Sequence, residues 1–322
     1  MRELHKSCDL SVLIPVNNEE QNIDMLMTEI HKFDDCKYQI EVIISDNFSE
    51  DTTLKLVNEK IKGLKNIKVI SNNHYDKSLS RNFLNLVSSS TGKYYTFLGA
   101  CDKINIDVLL KSLDFMLNNQ KFSLMVSDMV IYNNLDRIRK IQYYNGVLVA
   151  SDSNSKLEIM SNSSLSCLGG WIARKSSSIA GIDEQYTSKF PMNIVALDLF
   201  YTGEFIYMPV HFYTKHYAFD ENRETDSIYT DISWIDNDLK IAEKMLDKDD
   251  FFIYKQNMNN ALRDNLIQFK TFGGNTILFS LLKQYPIFLR SRYFQVLIIT
   301  LIPKVVIRIF LKKYRNSQYK SN

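Results

Sequence analysis

Residues 78–103 read SLSRNFLNLVSSSTGKYYTFLGACDK. The small polar cluster Ser78, Ser80, Arg81 and Asn82 suits a helix cap, and Phe83, Leu86 and Val87 then recur on one helical face. Ser88-Ser89-Ser90-Thr91-Gly92 breaks that helix, and Lys93–Leu98 reads as a buried, aromatic-rich strand closing at Gly99. Asp102 stands just past the strand's carboxyl end. Open α/β sheets bind ligands in the crevice outside those ends, which makes Asp102 a candidate anchor for a metal or a nucleotide sugar.

Working outward, the same unit repeats upstream. LSVLIPV at 10–16 is a short apolar run rich in β-branched residues, the pattern of a strand buried on both faces. Asn17-Asn18-Glu19-Glu20 turns the chain into a helix carrying Ile23, Leu26, Met27 and Ile30. Ile40–Ile44 is a second strand running into Ser45-Asp46-Asn47, and Ser49–Thr53 opens a helix through Leu54, Val57 and Ile61. Ile67–Ile70 is a third strand, ending in Ser71-Asn72-Asn73. Such alternation predicts an α/β fold with a mostly parallel sheet and flanking helices. No GxGxxG follows the first strand and no GxxxxGK[ST] occurs, so dinucleotide-fingerprint and P-loop readings are disfavoured.

Bulk properties are ordinary for a folded soluble protein. The chain has 322 residues, 45% hydrophobic and 24% charged, enough for one large domain or two smaller ones. A net charge of +2 gives no basic footprint for nucleic acid. Cys8, Cys36, Cys101 and Cys167 form no CxxC pair, which suggests free thiols in a reducing compartment. No apolar segment follows the charged N-terminus, so no signal peptide is expected. With 10 Gly and 5 Pro, no flexible linker stands out.

Four segments in order, LSVLIPVNNEE, ISDNFSEDTT, SLSRN and TGKYYTFLGACD, resemble the inverting family 2 glycosyltransferases of the GT-A fold. They cover about the first third of the chain. The resemblance implies a Rossmann-like GT-A sheet in which Pro15, Asn17, Glu19 and Asp46 line the nucleobase and ribose pocket. It places Arg81 near the sugar or diphosphate, and Asp102 in a DxD-type element holding Mn²⁺ or Mg²⁺ against the diphosphate. This chain departs from the pattern, because Gly99-Ala100-Cys101-Asp102-Lys103 offers one acid where two or three are usual. That leaves open a metal held by Asp102, phosphates and water, or neutralisation by Lys103 and other cations.

Further along, strands are expected near 123–132 and 141–149, with Ser151–Ser155 a solvated connector. In Cys167–Arg174 the resemblance suggests a small-residue turn and an aromatic beneath the acceptor sugar, Gly170 and Trp171; a core aromatic is the competing reading. Asp183-Glu184 and Asp198 match two acidic motifs of the family. Asp198 is the first candidate for the base that deprotonates the acceptor hydroxyl, with Asp183 and Glu184 as alternatives. Tyr207–Tyr217 resembles a family segment whose His or basic residue reaches the diphosphate and metal, which makes His216 a candidate for that contact, and 220–231 reads as a mobile loop over the site.

Composition shifts after Ile232, where two helices are expected. The tail 285–319 mixes apolar runs with Lys304, Arg308, Lys312, Lys313 and Arg315. It is too interrupted to span a bilayer and suits an amphipathic segment lying on anionic lipid. The expected organisation is a glycosyltransferase domain at 1–230 and a membrane-associating helical region at 231–322. The expected activity is transfer from a nucleoside-diphosphate sugar to a saccharide carried on undecaprenyl diphosphate, at the cytoplasmic face of the inner membrane. SDN and LGACD point to the branch of O-antigen transferases with abequosyltransferase-like members. A non-catalytic module of the same fold is the alternative, and a nucleotidyltransferase, which wants a glycine-rich phosphate loop, a third.

Overall fold

The computed structural model describes residues 8–72, 79–133, 137–161, 165, 167–176, 191–217 and 233–264, with positions 277 and 283. The chain divides into two compact units, Met1–Tyr132 with Lys140–Tyr217, and Asn133–Arg139 with Ala218–Asn322.

In the first unit β1 (Leu10–Val16) leads through a 3-10 turn into α1 (Ile23–Ile30), followed by β2 (Ile40–Asp46), α2 (Thr53–Lys60), β3 (Ile67–Ser71), α3 (Leu79–Ser89) and β4 (Tyr94–Phe97). β3, β2, β1 and β4 lie side by side, all parallel. Their apolar continuity follows from having both faces covered. Leu10, Val12, Ile14 and Val16 join a cluster with α1 and with α4 (Ile106–Asn118), whereas Leu13 and Phe97 face the other way, with Phe83, Leu86 and Val87 of α3 equally buried.

Beyond β4 the sheet turns antiparallel. β5 (Lys103–Ile104) pairs with β10 (Glu204–Tyr217), and β9 (Trp171–Arg174) lies antiparallel between β4 and β6 (Phe122–Asn133). β8 (Leu148–Ala150) pairs antiparallel with β10. The result is a mixed sheet in the order β3-β2-β1-β4-β9-β6-β10-β5, parallel in its N-terminal half. The expected strand at 141–149 is two shorter pieces, β7 (Arg137–Ile141) and β8. The expected connector at 151–155 is instead the start of α5 (Ser153–Ser161), where the Asp152 carboxylate accepts from Ser155 N at 3.0 Å as a helix cap does. α6 (Pro191–Leu199) then precedes β10.

The second unit contains α7 (Ser233–Met245) and α8 (Lys248–Asp264), the two helices expected after Ile232, which pack on each other. Among the described residues no helix is long and apolar enough to cross a membrane. The tail 285–319 and the loop 220–231 lie outside the described residues.

Candidate functional site

Three parallel strand tips and the first turn of α3 build one polar crevice. At the end of β1 the Asn17 amide donates to Asn47 O (2.9 Å), and Asn18 N donates to Ser49 Oγ (2.9 Å). Asn18 returns the contact by accepting from Glu50 N (2.8 Å), so the loop after β2 is folded onto the loop after β1. Asp46 closes β2 with its carboxylate accepting from Ser49 N (3.1 Å) and Ser49 Oγ (2.5 Å). Amides continue the ladder sideways, from Asn72 to Asn47 (2.9 Å) and from Asn85 to Asn72 (3.1 Å). Ser45 Oγ donates to the side-chain amide oxygen of Asn82, which holds the start of α3, the helix that carries Arg81, against the tip of β2. Glu19 is held by Thr53 through its main chain (2.7 Å) and by the Asn22 amide through its carboxylate (2.6 Å). Pro15 sits in β1 opposite Ser45.

The sheet's strand order reverses between β1 and β4, and Asp102 lies there. Leu98 N still bonds Leu13 O (3.0 Å), and the chain then turns so that Asp102 N reaches Gly99 O (3.0 Å). A Cβ at Gly99 would lie 2.3 Å from Asp102 Oδ2, so any other residue there has to displace that carboxylate. Asp102 is 4% exposed. The Tyr213 hydroxyl donates to its Oδ2 and the main-chain N–H of His216 to its Oδ1 (2.8 Å), which ties the crevice to β10. Burial first, and the Asp102 charge second, push the Tyr213 phenol well above its usual range, so it stays a donor at any working pH. The Cys101 thiol donates to His216 O (3.5 Å) and is pushed up to about 11 by burial, then by Asp102 and Glu19, with Lys215 opposing. Neutral Cys101 therefore replaces an acid without replacing its charge. The His216 ring lies tilted against Tyr132 with centroids 4.9 Å apart, and burial, then the Lys103 ammonium, lower its pKa below 6.5.

The site can be tested for a divalent cation on its donor set. Among the described residues no group of three His, Cys, Asp or Glu could hold one alone. A carboxylate offers about four acceptor positions, and Tyr213 and His216 use two of those on Asp102. Asp102 together with a substrate's own phosphate oxygens fits the sparse protein ligation such cations accept. His216 adds its main chain to the arrangement, and its neutral ring is compatible with a ligand role.

Two expectations do not survive the geometry. Trp171 is 0% exposed, its indole N–H bonded to Cys167 O (3.2 Å) and its ring packed among Phe83, Tyr95 and Phe97. It offers no face to a sugar and is a core aromatic. Gly170 has φ 93 and its carbonyl accepts from Ser127 N and Ser127 Oγ, both 2.9 Å, so it shapes a buried turn. Asp198 lies in the last turn of α6. The carbonyl of Leu199 accepts from Ser123 Oγ (3.4 Å), and the next residue, Leu124, sits opposite Ala173, itself opposite Tyr95 at the start of β4. The Tyr95 phenol is raised by burial and then by the Asp198 charge, which agrees with that placement. Tyr95 to Leu98 is about 10 Å along a strand, and Asp102 is further still. These contacts set Asp198 level with the start of β4 rather than with its carboxyl end. Asp183 and Glu184 lie outside the described residues. Sequence reading gave Tyr213 no role, although a tyrosine alternating with polar residues on a strand that ends at the site was the available signal.

A half-sheet of parallel strands whose order reverses beside polar strand tips, continued by an antiparallel half, is the arrangement in which α/β folds hold their ligands. Residues 11–178, more than half of the chain, match glycosyl transferase family 2. The chain belongs to that family and is a glycosyltransferase. TarS of Staphylococcus aureus, a poly(ribitol-phosphate) beta-N-acetylglucosaminyltransferase, is 31% identical over 108 residues, 33% of this chain and 18% of the relative. The match thus spans less than a fifth of that relative's length. The crystal structure of S. aureus TarS is similar with a TM-score of 0.58 at 17% identity, covering 80% of this chain and 43% of that one. TarS 1-349 in complex with UDP-GlcNAc is similar with a TM-score of 0.55 at 16% identity, covering 95% and 92%. At such identities the likeness speaks for the fold alone. The curated relatives are poly(ribitol-phosphate) transferases rather than O-antigen ones.

Proposed function

We propose that this chain transfers a sugar, with inversion, from a uridine-diphosphate sugar to a hydroxyl of a saccharide or polyol-phosphate acceptor in surface-polymer synthesis. The observation that carries the reading is the placing of Asn17, Asp46 and Asp102 at the carboxyl ends of β1, β2 and β4, on the two sides of the strand-order reversal. UDP-GlcNAc, the donor in the TarS complex, is the first donor to try. Asp46 and Asn17 would take the base and ribose, while Arg81, Lys103 and Lys215 would face the diphosphate. Asp102 would hold a divalent cation, Mn²⁺ or Mg²⁺, which would supply Lewis-acid charge to the leaving diphosphate. The acceptor oxygen attacks the anomeric carbon opposite the diphosphate, the glycosidic C–O bond to that diphosphate breaks, and the acceptor's proton passes to a carboxylate. With Asp198 remote from the crevice, Asp183 or Glu184 is the proposed base.

For the acceptor, an undecaprenyl-diphosphate-linked saccharide of O-antigen or capsule matches the basic tail at 285–319 and the branch suggested by SDN and LGACD. On this reading residues 231–322 associate with anionic lipid at the cytoplasmic face of the inner membrane. The single acid at Asp102 also supports a second reading, a module that binds the donor without turnover. One experiment separates them: incubate the chain with UDP-GlcNAc and lipid-linked acceptor, with Mn²⁺, Mg²⁺ or EDTA, and follow UDP release and product anomer by NMR. Inverted product supports the transferase; UDP-sugar binding without release supports the module.

A further inference from the structure

We infer that Phe48 is the stacking platform for the nucleobase of the donor; the inference rests on the donor site proposed above. Every other residue in the loops after β1, β2 and β3, among those described, is polar: Asn17, Asn18, Glu19, Asn47, Ser49, Asn72. Those groups can hydrogen-bond ribose, phosphate or a base edge, and none offers a π face. Phe48 is the one exposed aromatic ring at the described tips of β1 to β4, since Phe97, which closes β4, is fully buried.

Its setting is the reverse of what burial favours. Phe48 is 42% exposed, while its polar neighbours Asp46 and Asn47 are buried. The loop is not loose, because residue 48 is bracketed by Asn17 to Asn47 on one side and Asn18 to Ser49 on the other. The ring is therefore carried on a backbone pinned to the rim of the crevice.

The backbone adds an independent observation. Phe48 has φ 59, in the left-handed region that glycine enters freely and a bulky side chain does not. Conformation and solvation both favour glycine at this position, and strained residues of this kind cluster at ligand sites. A base with one face on Phe48 and its edge on Asp46 would cover the ring and use the strain.

Phe48→Gly separates binding from folding. Titration calorimetry of the full chain with UDP and with pyrophosphate, in Mn²⁺ and in Mg²⁺, is compared for wild type, Phe48→Gly and Phe48→Tyr. Loss of one base–aromatic stack weakens binding about ten- to hundredfold. Expected are that loss for UDP in Phe48→Gly, unchanged pyrophosphate binding, near-wild-type UDP binding in Phe48→Tyr, and a melting temperature of unliganded Phe48→Gly equal to or above wild type. UDP binding indifferent to residue 48 overturns the inference and leaves the donor site standing. Equal losses for UDP and pyrophosphate with a lowered melting temperature assign Phe48 a structural role and overturn it too. A wild-type chain that binds none of UDP, GDP, CDP or dTDP removes the donor site and the inference together.

Discussion

Asp102 and Asp198 are both buried acids beside a buried tyrosine, yet they lie at opposite ends of the same strands. At the carboxyl end of β4, Asp102 accepts from Tyr213 and from the His216 main chain, amid polar tips that converge on the strand-order reversal. Toward the amino end, Asp198 shares its surroundings with Tyr95, in a helix whose last turn leans on Ser123. Residue type and burial are the same in both regions. What differs is which end of the sheet the carboxylate faces, and ligands collect at only one end of a parallel sheet.

The largest effect tests that contrast in catalysis. A positioned base contributes roughly 10²–10⁴ in rate, so Asp183→Asn or Glu184→Gln should lower kcat by that factor with donor affinity retained. Asp198→Asn should keep kcat within about threefold, since a remote carboxylate takes no part in proton transfer. Steady-state kinetics on the three variants decides it. A large loss in Asp198→Asn alone would break the contrast between the two ends.

Next in size is a change that touches the core and spares the crevice. Trp171→Ala removes a fully buried ring from the Phe83, Tyr95, Phe97 cluster, and such truncations cost about 3–5 kcal/mol. In a chain this size that is a fall of roughly 10 °C in Tm. The KM for acceptor should stay near wild type wherever the protein is folded. A raised acceptor KM at unchanged Tm would return Trp171 to the acceptor site.

A smaller, sharper probe is Gly99→Ala. Its Cβ would stand 2.3 Å from Asp102 Oδ2 and press the carboxylate off Tyr213. Overpacking of this kind costs about 1–3 kcal/mol. Because the clash falls on Asp102, donor affinity should drop with it, by about tenfold or more if a similar energy is lost on binding. Calorimetry with UDP alongside a melting curve reads both. Lost stability with full donor affinity would mean that Asp102 serves the fold and not the donor.

How much of this was legible in the sequence follows the same division of the sheet. Strands buried on both faces leave continuous apolar runs, so LSVLIPV, IEVII and YYTFL were readable, as were the polar turns that close them. The antiparallel half leaves weaker traces. Ser151–Ser155 reads as a loop because helix caps and loops draw on the same residues, and only Asp152 bonding Ser155 tells them apart. Trp171 suits a sugar platform or a core equally well, and burial by α3 decides. Asp198 carries an acidic motif's look, but its distance from Asp102 is set by register across β6, β9 and β4, which no local pattern encodes. The Asp102 clamp was half legible: the acid was, its tyrosine partner was not.

The gentlest probe of the Asp102 end is pH. The His216 ring is pushed below its ordinary 6.5 by burial, then by Lys103, with Asp102 and Glu29 pulling the other way. In the unfolded chain the ring titrates at its ordinary value. Between the lowered folded pKa and about 6.5 the unfolded chain therefore binds more protons, and stability rises with pH across that window. Read downward, acidifying from neutrality through 6.5 should lower Tm. His216→Gln should flatten that slope, and because Asp102 accepts from the main-chain N–H of residue 216, the variant keeps the clamp. Carboxylates held below their usual range, Asp51, Asp114 and Asp152, lose their contribution only as pH falls below about 4. The two windows are thus separable in one series of melting curves from pH 7.5 to 5. A slope between about 5 and 6.5 that is the same in wild type and His216→Gln would mean that the ring is not desolvated at the Asp102 end of the sheet.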